Sequence, residues 1–279
     1  MPQQEANKVL DEVIAEYAVS PVDMLGIGDA RGEHEYLKTL RDSYARTIQD
    51  VTGLCTEAAD GRRILELGSF LGAVSITLRR LGYDVTAADI PEFHDSASLK
   101  AVYARNGVPF DGINLRHATL PYASASKDVV ILCEVLEHLN FNPLPALAEI
   151  NRVLREGGYL YLGMPNQASI ISRIKLLLGK SVHNGIEDFF AQLDRNNNMI
   201  VGLHWREYTM AETCELLERM GFEIVRDYFY ANTGSSGRPL AWLARKLLYA
   251  YPPFRPFLVV SARKVRSPAH DFFRVEANS

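Results

Sequence analysis

Three short stretches hold residue types able to do chemistry. Ile64-Leu65-Glu66-Leu67-Gly68-Ser69-Phe70-Leu71-Gly72 carries an acid into a loop bounded by two glycines. Val85-Thr86-Ala87-Ala88-Asp89-Ile90 ends an apolar run on a second acid. Cys133-Glu134-Val135-Leu136-Glu137-His138 sets two carboxylates and an imidazole behind a third apolar run, and a later histidine, His204, opens His204-Trp205-Arg206-Glu207-Tyr208-Thr209. An acid at a strand end can accept hydrogen bonds from both hydroxyls of a ribose. A histidine near neutral pH can take the proton of an oxygen nucleophile. Carboxylates and imidazoles together can also hold a divalent ion.

The glycine loop discriminates between ligands. A dinucleotide fingerprint, GxGxxG, needs its second glycine where backbone meets pyrophosphate. Phe70 stands at that place and would crowd a pyrophosphate. Glu66 beside the loop would repel phosphate and attract an ammonium group. The charges therefore suit S-adenosylmethionine, which has an ammonium, a sulfonium and no phosphate. No YxxxK pair of the short-chain dehydrogenase kind accompanies the loop.

For these residues to meet, strands must end side by side at one sheet edge. The patterning supplies that arrangement. Strands are expected at 62–68, 84–89, 113–118, 127–133 and 159–165, with helices at 72–81, 96–107 and from Asn142-Pro143 to about Arg155. Gly157-Gly158 reads as the turn after that helix. Apolar strands alternating with helices imply a parallel sheet covered on both faces. Residues 166–204 break the rhythm and read as a lid. It resumes with a capping box, Thr209 with Glu212, and strands at 222–230 and 257–265. Two helices, 1–19 and 33–51, precede it all.

On LELGSFLG, VTAADI, LPYASASKDVVILCEVLEHL, AEINRVLREGGYLYLGMPN and HWREYTMAETCELLERMGF, the chain resembles class I S-adenosylmethionine-dependent methyltransferases across roughly residues 60–265. The resemblance implies an α/β, doubly wound, Rossmann-like seven-stranded sheet, mostly parallel with an antiparallel last strand, plus N-terminal helices and a lid. It divides the chain into a helical cap (1–55), a methyltransferase domain (56–265) with insertions at 166–204 and 231–256, and a tail (266–279). It implies that Glu66, Gly68 and Gly72 surround the methionine part of the donor and that Asp89 holds its ribose. Leu67, Ser69 and Phe70 of the same loop, and Cys133 and Glu134 at the fourth strand end, complete the donor side. Relatives often grip adenine with an acid near Ala118; this chain has none there, so backbone near Thr119 and the side chain of Ile90 take that place.

His138, Glu137 and His204 are the expected catalytic set, acting by proton transfer or positioning. The ExxEH wording also resembles the metal motif of ubiquinone-biosynthesis and small-RNA 2′-O-methyltransferases. In the latter a later histidine completes the site, as His204 could here. A divalent ion on Glu134, Glu137, His138 and His204 is thus the alternative, although EVLEH also occurs in relatives with no known metal. A capping role for Glu137 and His138 is a third reading. Arg41, Tyr44 and Arg46 could reach a donor carboxylate, but a packed or solvated helix face is the simpler reading. Arg152 reads as helix surface, and His117 and His183 lack partners in sequence.

The expected acceptor is a small metabolite or a sugar or glycan, methylated on oxygen. Alternatives are a lipid-linked or quinone acceptor, or a donor-binding module without catalysis. Two segments are apolar and basic: 171–180, and 238–257 with Leu240, Leu243, Leu247 and Tyr251 on one helical face. Peripheral membrane contact is one reading of them; packing on the last strands is the simpler one. Across 279 residues the net charge is −4, which argues against a nucleic-acid partner. Three cysteines without a CxxC pair, an acidic start and no long apolar run lead to the expectation of a cytoplasmic soluble protein. Oligomeric state is not legible.

Overall fold

The computed structural model describes residues 3–20, 22, 32–55, 62–194, 202–232 and 245–269. Helix α1 (Gln3–Val19) buries Leu10, Val13, Ile14 and Tyr17 along one stripe. Helix α2 (Glu33–Leu54) buries Leu37, Thr47, Ile48 and Val51. Then follow β1 (Arg63–Leu67), α3 (Ala73–Arg80), β2 (Asp84–Asp89), α4 (Pro91–His94), α5 (Ala97–Arg105), β3 (Phe110–Gly112) and β4 (Lys127–Cys133). The second half comprises α6 (Leu144–Val153), β5 (Leu154–Pro165), α7 (Ile170–Leu177), α8 (Ile186–Asp194), α9 (Met210–Arg219), β6 (Phe222–Tyr230) and β7 (Phe257–Lys264).

The seven strands form one sheet in the order β3-β2-β1-β4-β5-β7-β6. The first five are parallel to their neighbours, and β7 runs antiparallel to both β5 and β6. One apolar core joins α1, α2, α3 and α5 to one face; the other joins α6 and α9 to the opposite face. Register is what makes a site. Leu67 pairs with Ala88 on one side and Leu132 on the other, so Gly68, Asp89 and Cys133 leave the sheet side by side.

Two expectations need correction. The third strand is Phe110–Gly112, paired with Ala87–Asp89, and not residues 113–118. The Asn114 side chain accepts the Arg116 N–H at 3.0 Å, and a 3-10 turn at Leu115–His117 ends on Ala118 at φ 47°. A side chain offering the backbone a local partner removed that stretch from the ladder. The fifth strand begins at Leu154, earlier than residue 159, because Leu154 pairs with Lys127 and the two glycines are absorbed as an irregularity within the strand. Gly157 there has φ 71°. The capping box at Thr209 is formed: its hydroxyl accepts the Glu212 N–H at 3.3 Å and the Glu212 carboxylate accepts the Thr209 N–H at 2.9 Å. Arg238, Leu240 and Leu243 of the expected late helix, and tail residues 270–279, lie outside the described residues; a helical turn is present at 245–248.

Candidate active site

A cavity of about 670 Å³ opens at the carboxyl ends of β1, β2 and β4, beneath α2. Small-molecule sites span roughly 300–1,000 Å³, so a nucleoside and a small acceptor can share it. Glu66, Leu67, Gly68, Ser69 and Phe70 from the β1–α3 loop line it, with Asp89 and Ile90 opposite.

The loop is built tightly. Gly68 has φ 77°, and a Cβ there would lie 2.2 Å from a methyl of Val135. The N–H groups of Gly68 and Ser69 donate to the Ala88 carbonyl at 2.9 and 3.2 Å. Phe70 adopts φ 44°, unusual for a residue with a side chain. Its N–H donates to Asp89 Oδ2 at 2.6 Å, and its ring packs on Tyr36 and Phe93 at 5.4 and 4.9 Å, forming one aromatic stretch of the cavity lining. Gly72 is off the cavity wall; a Cβ there would meet the Tyr103 ring at 2.9 Å, so its role is packing.

Glu66 and Asp89 put two buried acids on this wall. Glu66 accepts from the Ser75 hydroxyl, and Asp89 Oδ1 accepts the Ile90 N–H at 2.7 Å. Burial outweighs these bonds and pushes Glu66 up to about 8 and Asp89 up to about 6. A cation between them would reverse that shift.

Thr119 is also off the wall: its hydroxyl donates to the His117 carbonyl at 3.2 Å. The segment that reaches the cavity is Ile113–Arg116, and the Arg116 guanidinium lies 4.9 Å from the Phe141 ring centre. On α2, Arg41 is taken by Asp11 at 2.8 and 2.9 Å, whereas Tyr44 and Arg46 face the cavity. Arg46 stacks over Tyr230 at 4.2 Å, and its buried Nε has no hydrogen-bond partner. Asp50 fixes this helix on the sheet. Its carboxylate accepts from the hydroxyls of Tyr161 (3.1 Å) and Tyr228 and from Arg226 (3.1 Å).

At the end of β4, Cys133 and Glu134 line the cavity. Burial raises the Cys133 thiol well above its usual range, so it is no nucleophile. Glu134 adopts φ 54°, with its N–H donating to the Gly163 carbonyl at 2.8 Å. Glu137 lies behind the wall, fully buried, and neither carboxylate oxygen has a hydrogen-bond partner. Burial raises both acids; for Glu137 the Glu134 charge adds to it. His138 and His204 reach the cavity with ring centres 4.9 Å apart. The Nδ1 of His138 bonds the Leu203 carbonyl at 2.8 Å, and that of His204 bonds Glu207 at 2.8 Å. Each ring therefore presents its other nitrogen as an acceptor, and that of His138 lies 4.0 Å from Glu137 Oε1. Burial pushes His138 down to about 4. Ligand-type atoms of Glu137, His138 and His204 all lie within 4.8 Å of one another.

The geometry thus gathers the predicted loop, both acids and both histidines, and leaves Gly72, Thr119 and Glu137 off the cavity wall. Sequence reasoning missed Tyr36, Arg116, Phe141 and Tyr230, which line the cavity from four separate elements with no shared motif.

Residues 65–162 match the family model described as Methyltransferase domain. A protein of Mycolicibacterium smegmatis, described as a probable S-adenosylmethionine-dependent methyltransferase, is 30% identical over 167 residues, 59% of this chain and 53% of that protein. A ubiquinone biosynthesis O-methyltransferase of Maricaulis maris is 32% identical over 128 residues, 44% of this chain and 48% of that one. The chain spans about half the length of the curated relatives it matches. Two solved structures share the fold. Magnesium protoporphyrin IX methyltransferase from Synechocystis has a TM-score of 0.54 and 17% identity, over 86% of this chain and 91% of that one. A Mesorhizobium loti S-adenosylmethionine-dependent methyltransferase has 0.54 and 19%, over 77% and 96%.

Proposed function

We propose, from a chain whose residues 65–162 match a methyltransferase-domain family model, that the protein moves a methyl group from S-adenosylmethionine to an oxygen of a small metabolite or sugar. One observation carries the donor. The N–H groups of Gly68, Ser69, Phe70 and Gly72 are all committed to acceptors within the protein, so the loop keeps none of these four donors for a pyrophosphate. What it offers instead is Glu66 and Asp89, which suit an ammonium group and two ribose hydroxyls. Arg46, with its unpartnered Nε, is suited to the donor's carboxylate.

The acceptor oxygen attacks the methyl carbon, the carbon–sulfur bond breaks, and S-adenosylhomocysteine leaves neutral at sulfur. The acceptor's proton must go to a base. His138, held low by burial, is a weak one. Glu134, reachable from the cavity and raised toward neutrality by burial, is the better-matched acceptor. His138 then orients the acceptor through its Nε2, and much of the rate comes from positioning.

Transfer of a tritiated methyl group into a cell extract tests this. Label is expected in small molecules and strongly reduced with Asp89→Ala at donor levels that do not saturate the variant. Label on protein or RNA would overturn the acceptor class. Donor binding without any transfer would support a module that binds without catalysis.

A second reading has its own observation. The orphaned Glu137 carboxylate, beside two imidazoles whose Nδ1 positions are already occupied, fits a divalent cation held by Glu137, His138 and His204. Such an ion would supply a Lewis acid that lowers the pKa of an acceptor hydroxyl. Unaltered turnover after exhaustive chelation would remove this reading.

A further inference from the structure

We propose that the tip of α7 is a membrane-docking element that inserts into the surface of an anionic lipid bilayer. The proposal does not depend on the donor reading. Helix α7 buries none of its residues. At its C-terminal end the chain exposes three consecutive leucines: Leu176 at 61%, Leu177 at 86% and the capping residue Leu178 at 66%. Consecutive helical positions differ by about 100°, so these three cover roughly 200° of the circumference. A protein groove receives one stripe, at i, i+3 and i+4. A tip that is apolar around most of its circumference needs surroundings on all sides, which hydrocarbon provides.

The tip is held in shape. The Lys180 N–H donates to the Lys175 carbonyl at 2.8 Å and the Gly179 N–H to the Leu176 carbonyl at 2.9 Å, with Gly179 at φ 67°. This closing turn presents the leucines as a fixed prow. Lys175 and Lys180 flank it, where long stems let ammonium groups reach lipid headgroups.

Charge selects the kind of bilayer. From Asn166 to Ile186 the chain has Arg173, Lys175 and Lys180 and no acid, although the whole protein carries −4. The Arg173 guanidinium lies 5.6 Å from the Phe254 ring centre, which ties α7 to the segment exposing Leu247 (69%) and Tyr251 (58%). No helix among the described residues is long and apolar enough to cross a membrane, so the mode is interfacial. The tip also belongs to the segment that returns to the cavity at His204: Phe189 of α8 packs on Trp205 at 6.0 Å. Docking would hold the cavity mouth near the lipid surface.

Co-sedimentation with vesicles tests the proposal. Wild-type protein is expected to pellet with phosphatidylcholine vesicles containing roughly a third phosphatidylglycerol, and several-fold less with phosphatidylcholine alone. The triple variant Leu176→Ser, Leu177→Ser, Leu178→Ser should lose about tenfold or more in partitioning. Lys175→Glu with Lys180→Glu should lose binding only to the anionic vesicles. Because these side chains are exposed, the variants should melt like wild type; if the triple variant unfolds, Leu177→Ser alone carries the comparison. Wild type staying in the supernatant, or the leucine variant pelleting equally, overturns the proposal. So does vesicle indifference combined with self-association that the serines abolish, which would make the tip a protein interface.

Discussion

Asp89 grips Phe70 by its backbone: Oδ2 accepts the Phe70 N–H at 2.6 Å while Oδ1 accepts that of Ile90 at 2.7 Å. One carboxylate thus closes the loop after β1 onto the end of β2 and leaves its remaining lone pairs facing the cavity. Removing it should do two things. Asp89→Ala is expected to weaken S-adenosylhomocysteine binding by roughly tenfold to a hundredfold, as loss of charge-assisted bonds and of loop order combine. Fluorescence titration against wild type, with circular dichroism to confirm folding, checks it. Unchanged affinity would place the ribose elsewhere.

Acidity at this wall gives a pH signature. Glu66 is raised from 4.5 to about 8 and Asp89 from 3.8 to about 6, in each case by burial. The folded, ligand-free protein therefore binds more protons than the unfolded chain. The associated stability is full below the unfolded values and is lost as pH rises through about 6 and then about 8. His138 acts in the opposite sense, but only between its folded value of about 4 and its unfolded 6.5. The melting temperature of ligand-free protein should fall between pH 6.5 and 8, the window set by the Glu66 shift. A cationic donor favours the ionised acids, so its affinity should rise over that window and protons should be released on binding. Calorimetry in buffers of different ionisation heat measures the release; proton uptake would contradict it.

Gly68 cannot carry a side chain without damage. At φ 77° with Val135 2.2 Å from a built Cβ, Gly68→Ala combines backbone strain with a clash. A loss of about 2–4 kcal/mol in stability is expected, together with loss of donor binding. Urea unfolding measures the first. By contrast, Gly32→Ala, where no atom lies within 4 Å of the built Cβ, carries only the positive-φ penalty and should leave donor binding intact.

Glu137 separates the two readings of the histidine cluster. Its carboxylate is fully buried without a hydrogen-bond partner. If the cluster works without an ion, Glu137→Gln removes a carboxyl that must take up a proton to be buried, and the melting temperature at neutral pH should rise by a few degrees with turnover kept. If an ion is held there, the same variant should abolish any stabilisation by added divalent metal and lower turnover sharply. Thermal shift with and without metal reads both.

Much of this is legible in the sequence because the informative residues sit at strand ends. Glu66, Gly68, Asp89 and Glu134 are each marked by an apolar run that stops, and parallel register then brings the stops together. Gly72 misled because a glycine closing a loop looks alike whether a ligand or the Tyr103 ring lies against it. The stretch at 113–118 misled because Ile113 and Leu115 alternate like a strand, while Asn114 supplies the local bond that ends it. Arg46 is not distinguished in sequence: on a helix, only tertiary packing decides which of Arg41 and Arg46 meets Asp11 and which meets the cavity. Phe70 reads in sequence as an obstruction to pyrophosphate, and in the fold its ring joins Tyr36 and Phe93 in an aromatic lining while its backbone adopts φ 44°.

The most direct measurement is a paired calorimetric titration of the wild-type protein with S-adenosylhomocysteine and with NADH. The account predicts saturable one-to-one binding of the first and none of the second, since the backbone donors of Gly68, Ser69, Phe70 and Gly72 are already engaged. Saturable NADH binding with no heat from S-adenosylhomocysteine would contradict it.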